Sequence, residues 1–363
     1  MPVTLDRRGF VQGLVAGLMC RPAAAFAPAP MPELPVLAQF ATGNNRLNPL
    51  THAAGSVLYC GDTTIGAVSL AQAAPLWSHG HGFDSPAEYR PRFAEGLMVC
   101  GGRKWLAAYD AASGAEVWRY TAQIQTGVPW VTPQVTVFGD GHQITALDTL
   151  TGKPLWQHAA IVDTLASYAP TGTTDTVFVG PGDGHLYALN LSDGAVNWVV
   201  DGRTTWQYLR QIQVEGDLLV AGTYKERLVG LSLADGAQRW SFNAGNFINS
   251  QHVADGSAYL WSPTGWIYAI DTGSGQVRWR YQTTDFDGAE SNWASVLAEL
   301  QTLGDRLFVL DMKDVLHVLN RAGGDGHSQY RLPQKVRHAI LPIAGVGIAC
   351  PTLGGEILLA ALP

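Results

Sequence analysis

Two histidines one residue apart, His79 and His81, are followed closely by Asp84. On a strand, His-x-His points both rings to one side, and a nearby carboxylate can complete a metal site. The alternative for these three is a solvated loop. Asp285, Asp287 and Glu290 form a second oxygen-rich group that could hold calcium, but it lacks an EF-hand pattern and reads more simply as a solvated acidic loop. A third set consists of the aromatics Tyr89, Trp130, Tyr168, Trp206, Phe247 and Trp293, accompanied by Arg90, Tyr208, Arg210, Asn249, Asn292, Arg337 and His338. Aromatic and arginine side chains suit protein hot spots. They also suit a flat ligand ring, with Arg90, Arg210 or Arg337 pairing its carboxylates. The structural alternative is that the aromatics pack under their own loops. No catalytic residue is identified: there is no Gly-x-Ser-x-Gly elbow before a helix and no Gly-rich phosphate loop.

The elements that must position these residues are written in a repeat. Ile144-Thr-Ala-Leu-Asp148-Thr-Leu-Thr-Gly152-Lys-Pro-Leu-Trp156 recurs as Leu106 to Trp118, Leu186 to Trp198, Leu228 to Trp240 and Ile267 to Trp279, with a degenerate copy from Ile65 to Trp77. In all six, the Trp falls eight residues after an Asp, Asn or Ser; Gly lies midway in five, and Ala73 replaces it in the first. The alternating start reads as a half-buried strand. Asp or Asn closes it by bonding backbone N–H groups two residues on. Gly supplies the positive φ of a tight turn, and the next strand carries the Trp. The anchors Trp77, Trp118, Trp156, Trp198, Trp240 and Trp279 are spaced by 41, 38, 42, 42 and 39 residues. A period near 40 with four short strands per repeat predicts a β-propeller.

Counting repeats predicts an all-β, eight-bladed propeller, with seven blades as the next best count. The seventh repeat, Asn292 to Tyr330, is diverged: its turn reads as longer, and Tyr330 stands in for the Trp. The eighth, His338 to Pro363, has no room for an outer strand, and Leu34 to Phe40 is the right length to supply it. The two chain ends would then share a blade and leave no long edge exposed. The candidate residues mostly fall in the loops that follow each Trp, which lead from the outer strand of one blade to the inner strand of the next. In a propeller those loops form the mouth of the funnel.

The composition fits: 47% hydrophobic, 15% charged, 41 glycines. A net charge of −7 argues against nucleic acid or an anionic membrane as partner, and no apolar run is long enough to span a bilayer. Asp6-Arg7-Arg8-Gly9-Phe10-Val11, an apolar stretch to Cys20 and Ala23-Ala24-Ala25 together read as a twin-arginine export signal cleaved near Ala25. Gly17-Leu18-Met19 before Cys20 is a poor lipobox. Residues 1–25 are therefore expected as signal, 26–33 as a Pro/Ala linker and 34–363 as one propeller domain. Export in the folded state excludes reliance on a periplasmic disulfide for folding. Cys60, Cys100 and Cys350 occupy the same strand position in three repeats and read as small buried side chains.

Ala146-Leu147-Asp148-Thr149-Leu150-Thr151-Gly152-Lys153-Pro154-Leu155-Trp156, with its copies ending at Trp198 and Trp279, resembles the tryptophan-docking repeat of the pyrroloquinoline-quinone (PQQ) propeller superfamily. The resemblance covers nearly all of the chain after the signal and speaks to fold more than chemistry. One branch holds quinoprotein dehydrogenases with PQQ and calcium; another holds the non-enzymatic propeller subunit of the outer-membrane β-barrel assembly machine. This chain has no adjacent cysteine pair and no Cys-x-x-Cys-His haem motif, and it is short for a quinoprotein alcohol dehydrogenase. The resemblance therefore implies a periplasmic, non-catalytic scaffold that binds envelope proteins, with no cofactor expected. The alternative it implies is a small quinoprotein oxidoreductase holding PQQ, with or without calcium, in the funnel.

Overall fold

The computed structural model describes residues 30–159, 168–206, 209–223, 226–245, 248, 250–262, 265–283, 299–311, 314–337 and 339–363, with Arg210 and Glu299 as backbone only. Pro32–Pro363 forms one compact unit. It contains eight four-stranded antiparallel sheets, each in simple up-and-down order. These are the eight blades of a propeller, so the count of seven is set aside. Their inner strands are, in blade order, Thr51–Ala53, Arg92–Ala94, Trp130–Val131, Thr171–Gly172, Leu209–Glu215, Gln251–Ala254, Glu299–Leu303 and Leu341–Ile343. Blade 8 is closed by the chain's own start: Val36–Ala41 pairs with Glu356–Ala360 as its outer strand.

Burial follows strand position. The second strand of a blade, such as Leu97–Gly102, is buried along its whole length, because a neighbouring blade covers each face. The outer strand, such as Glu116–Thr121, is mostly exposed, and Trp118 is its buried residue. What that Trp does is the organising contact of the ring. Its Nε1–H donates to the Thr149 carbonyl of the next blade at 2.8 Å. Trp77, Trp156, Trp198, Trp240 and Trp279 repeat the contact on Ala111, Leu191, Leu233, Thr272 and Arg321. Each acceptor lies directly after the Asp, Asn or Ser of the motif.

The midway glycine belongs to the same contact. At Gly152, φ is +68°, and a Cβ there would lie 2.6 Å from Trp118 Cγ. The turn therefore needs Gly twice, for its backbone angle and to let the indole of the preceding blade lie flat on it. Ala73 keeps the positive φ, at 47°. It precedes no breach of the rule, since the blade that packs on it, blade 8, has the outer strand Val36–Ala41 and no tryptophan to dock. Asp110 shows the predicted strand-closing role: its Oδ1 accepts the backbone N–H groups of Ala112 and Ser113 at 3.2 and 2.8 Å.

Blade 7 corrects two expectations. Its turn is not longer: Gly324 N donates to Asn320 O at 2.8 Å, as Gly114 N does to Asp110 O, and Gly324 takes the indole of Trp279. Nor does Tyr330 replace the Trp. Ser328 pairs with Val318, the register at which Trp118 pairs with Ala108. Tyr330 lies two residues further on, half-buried against Leu316 and its neighbours. The junctions on both sides of blade 8 thus lack an indole dock and rest on apolar packing. Leu34, Leu310, Leu316, Ile340 and Cys350 fill one of them; Phe40, Leu47, Val57, Ile343 and Ile357 fill the other.

Cys60, Cys100 and Cys350 are free thiols, fully buried. Burial pushes the Cys60 thiol up to about 12, which keeps it protonated and unreactive.

Candidate functional site

The inner strands of neighbouring blades stand side by side around the axis and wall a central channel. Five of them carry a polar side chain two residues before their last residue: Thr51 before Ala53, Arg92 before Ala94, Gln213 before Glu215, His252 before Ala254 and Gln301 before Leu303. The strand pairings confirm the alignment, with Arg92 opposite Val99, Gln213 opposite Val220 and His252 opposite Tyr259. These residues therefore occupy one layer, supplied by blades 1, 2, 5, 6 and 7. Trp130 and Thr171 occupy the same layer in blades 3 and 4.

Arg90 sits two residues before Arg92, on the same face of an extended segment. Its charge acts on His252, which belongs to the blade diametrically opposite. Burial, with Arg321 and Arg90 adding to it against Asp255, pulls His252 down to about 4. The ring is thus neutral near pH 7, and its Nε2 bonds Thr302 Oγ1 at 2.9 Å. Burial, then Arg90, lowers Arg92 to about 10, so it stays a cation at neutral pH. Its Nε is buried with no hydrogen-bond partner.

The loop face holds part of the predicted set. Tyr89 is half-buried, and its hydroxyl donates to the Thr126 carbonyl at 2.5 Å, tying two successive loops together. Burial raises its pKa. Trp130 lays its ring on Gly172 of the next inner strand. Tyr168 is half-buried where the chain approaches blade 4. Arg337 is held down by burial and by Arg46, against Asp62, and its Nε is buried without a partner. Trp206 departs from the expected ring of aromatics around the mouth. It is 6% exposed and packs with Phe178, Leu209 and Leu219. Its backbone N–H bonds Gly202 O, and the indole sits where a Cβ on Gly202 would be. A tight turn has folded it into the core between blades 4 and 5. Tyr208, Asn249, Asn292, Trp293, His338 and the side chain of Arg210 lie outside the described residues, as do Phe247, Asp285, Asp287 and Glu290.

His79, His81 and Asp84 do not assemble into a metal site. His79, on the outer strand Ala74–Gly80, stacks on Trp77 and bonds the Gly114 carbonyl through Nε2 at 2.7 Å. His81 lies past the strand end, 4% exposed, with Nε2 on the Asp62 carbonyl and Nδ1 accepting from Phe83 N. The His-x-His argument fails because the strand stops between the two rings and backbone groups occupy their nitrogens. No group of three His, Cys, Asp or Glu side chains with metal-binding geometry occurs among the described residues.

Two features escaped the sequence reading. One is the channel layer, whose only local signal is the alternation Arg90-Pro91-Arg92. The other is a hydrogen-bonded relay between blades 6 and 7, buried at its His317–Asp311 end. Tyr281 Oη hydrogen-bonds His327 Nδ1 at 2.7 Å. His327 Nε2 meets His317 Nδ1 at 3.0 Å, and His317 Nε2 meets Asp311 Oδ2 at 2.9 Å. The Asp311 carboxylate accepts, so His317 presents Nε2–H to it. His317 is fully buried, so the network ties the two blades together internally.

A family model described as outer membrane protein assembly factor BamB matches residues 61–199, 102–246 and 201–338. BamB of Yersinia pestis is 23% identical over 281 residues, covering 69% of this chain and 68% of that protein. The quinohemoprotein alcohol dehydrogenase ADH IIB of Pseudomonas putida is 25% identical over 283 residues, covering 65% of this chain but 40% of the enzyme. The crystal structure of BamB from Moraxella catarrhalis has the same fold, with a TM-score of 0.67 at 16% identity over 91% of this chain and 98% of that one. With docking tryptophans, glycine-seated turns and eight blades all in place, the chain belongs to the PQQ-like propeller family of outer membrane protein assembly factor BamB.

Proposed function

We propose that this protein is an exported, non-catalytic scaffold of the cell envelope that assists outer membrane protein assembly by holding other proteins of the assembly machinery on its loop face. The observation that carries the reading is the family match, which runs through the ring from residue 61 to residue 338. The architecture supports it. A closed ring of docked blades is a rigid mount, and rigid mounts let loops bind without a large ordering cost. Tyr89, Arg90 and Arg337 are the loop residues that would serve, since aromatic and arginine groups make effective anchors. The Asp6-Arg7-Arg8-Gly9-Phe10 segment supports export by the twin-arginine route to the periplasm. The test is capture of outer-membrane assembly proteins by the mature, tagged propeller from envelope extracts of its own cell. Specific recovery supports the reading; recovery no better than with an unrelated propeller overturns it.

A second reading, a small quinoprotein oxidoreductase, is favoured by the similarity to the Pseudomonas putida dehydrogenase. PQQ would supply two-electron oxidation, and Arg90 and Arg337 are the groups that would face its carboxylates. The aromatic platform fits less well, because Trp130 lays its ring on Gly172 and Trp206 on Gly202. Adding PQQ and calcium to the purified protein separates the readings: saturable quinone absorbance favours the enzyme, and an unchanged spectrum favours the scaffold.

A further inference from the structure

We propose that the junction of blades 7 and 8 holds a binding site for an indole group, seated between Ser328 and the end of the third strand of blade 8. The site lies at the motif-turn end of the outer strands, opposite the loop face, so it does not depend on the scaffold reading. Three observations carry it.

The first is a break in the repeat. At six junctions an outer-strand tryptophan sends its Nε1–H to a backbone carbonyl of the next blade. Blade 7 has Ser328 at that register, opposite Val318, as Trp118 stands opposite Ala108. The position that elsewhere projects an indole toward the next blade here carries a single hydroxyl. Ser328 is half-buried, where Trp118 is 6% exposed.

The second is that blade 8 keeps the receiving half of the dock. In a complete turn, Asp110 N donates to Ala115 O at 2.9 Å, and the next residue, Ala111, is the one whose carbonyl takes the indole of Trp77. In blade 8, Ala361 N donates to Pro35 O, also at 2.9 Å. Ala361 therefore stands where the motif has its Asp, and Leu362 stands where it has the acceptor. Pro35 leads into the outer strand Val36–Ala41, so no turn glycine lies between them. A backbone carbonyl in that place suits an N–H donor and not an anion.

The third is the space between the two halves, a cavity of about 290 Å³. Val318, Asn320, Ser328 and Tyr330 border it from blade 7, and Pro363, the neighbour of Leu362, borders it from blade 8. Arg306, also on its wall, holds Pro363 in place by donating to its carbonyl. A cavity of about 150 Å³ takes a benzene ring, so this one accommodates a two-ring indole. Sites for larger ligands begin at about 300 Å³, which leaves a single side-chain-sized group as the fitting occupant. An indole arrives either as a tryptophan side chain of another protein or as a free indole compound, and both present the same ring and N–H.

The test is a ligand-observed NMR titration of the whole mature protein with a blocked Gly-Trp-Gly peptide, with indole, and with a blocked Gly-Phe-Gly peptide as control. At least one indole probe is expected to bind saturably, with a dissociation constant of about 1 mM or tighter. Binding by the Trp peptide identifies a protein side chain as a ligand the site accepts; binding by indole alone identifies a free compound. The Phe peptide has no ring N–H and should bind about fivefold or more weakly. Ser328→Trp supplies the indole from the chain itself and should weaken binding by about tenfold or more. Gln157→Trp, exposed on the outer strand Pro154–Ala159 of blade 3, should leave it unchanged. Ser328→Leu fills part of the cavity and should also weaken binding, which keeps the test readable if the Trp variant folds poorly. Absence of binding by both indole probes, equal binding of the Phe peptide, or undiminished binding in both Ser328 variants would overturn the proposal.

Discussion

Replacing Gly152 by Ala tests whether the indole dock, rather than turn geometry alone, requires glycine. Two costs act at that position. The backbone has φ +68°, and holding a residue with a Cβ in that region costs about 1–2 kcal/mol. The new Cβ would also lie 2.6 Å from Trp118 Cγ and 2.7 Å from Cδ2. Trp118 is 6% exposed and its Nε1–H is held by Thr149 O at 2.8 Å. It can retreat only by stretching that bond or overpacking the core, at about 1–3 kcal/mol. The expected loss is about 2–5 kcal/mol. Gly96→Ala is the matched control: φ is +78° and a Cβ would meet nothing within 4 Å, so the backbone cost of about 1–2 kcal/mol stands alone. Ala73 is the natural version of that control, since no indole packs on it. Equilibrium urea unfolding followed by fluorescence and circular dichroism gives both values, provided the two signals coincide. Equal losses at Gly152 and Gly96 would refute the docking argument.

Trp206→Ala should destabilise the fold by about 3–5 kcal/mol as a core truncation, measured by the same unfolding experiment; a loss near zero would return Trp206 to the surface. Removing residues 32–41 should expose the Glu356–Ala360 edge and cause self-association by light scattering, reversed by adding a peptide of residues 32–42 in trans. Acid should weaken the ring through His252. Its folded pKa of about 4 lies below the ordinary 6.5, so this contribution is complete above about pH 6.5 and is lost as pH falls toward 4. The loss reaches about 3 kcal/mol at most, and His252→Gln should flatten that part of the stability–pH curve. Tyr281→Phe should cost about 1 kcal/mol by removing the hydrogen bond to His327 Nδ1, read as a shift in the urea midpoint.

The fold was legible because its information is local and repeated. Asp148, Gly152 and Trp156 each answer to a neighbour a few residues away or to the same position one blade on, so spacing alone reports them. Blade 7 went astray where residue type was put above spacing: Tyr330 is aromatic, but Ser328 is the residue eight positions after Asn320. Trp206 misled for a similar reason, since its seat is Gly202, four residues back, and a Gly at that offset was a readable sign of inward folding. The fates of His79 and His81 were not legible, because their partners are backbone carbonyls of Gly114 and Asp62, which carry no sequence signature. The channel layer was hidden more deeply. Arg92, Gln213 and His252 are about forty or more residues apart, and only aligning inner strands from their hairpin ends puts them at one height.

The most direct test of the scaffold account is quantitative binding of the mature propeller to the purified periplasmic portions of outer-membrane assembly proteins from the same cell, with and without substitution on the loop face. The account predicts saturable, stoichiometric binding to at least one of them, weakened by about tenfold or more in Arg337→Ala if that residue is an interface anchor, with the unfolding midpoint unchanged. No binding by a folded protein to any of them, together with saturable uptake of PQQ, would contradict it.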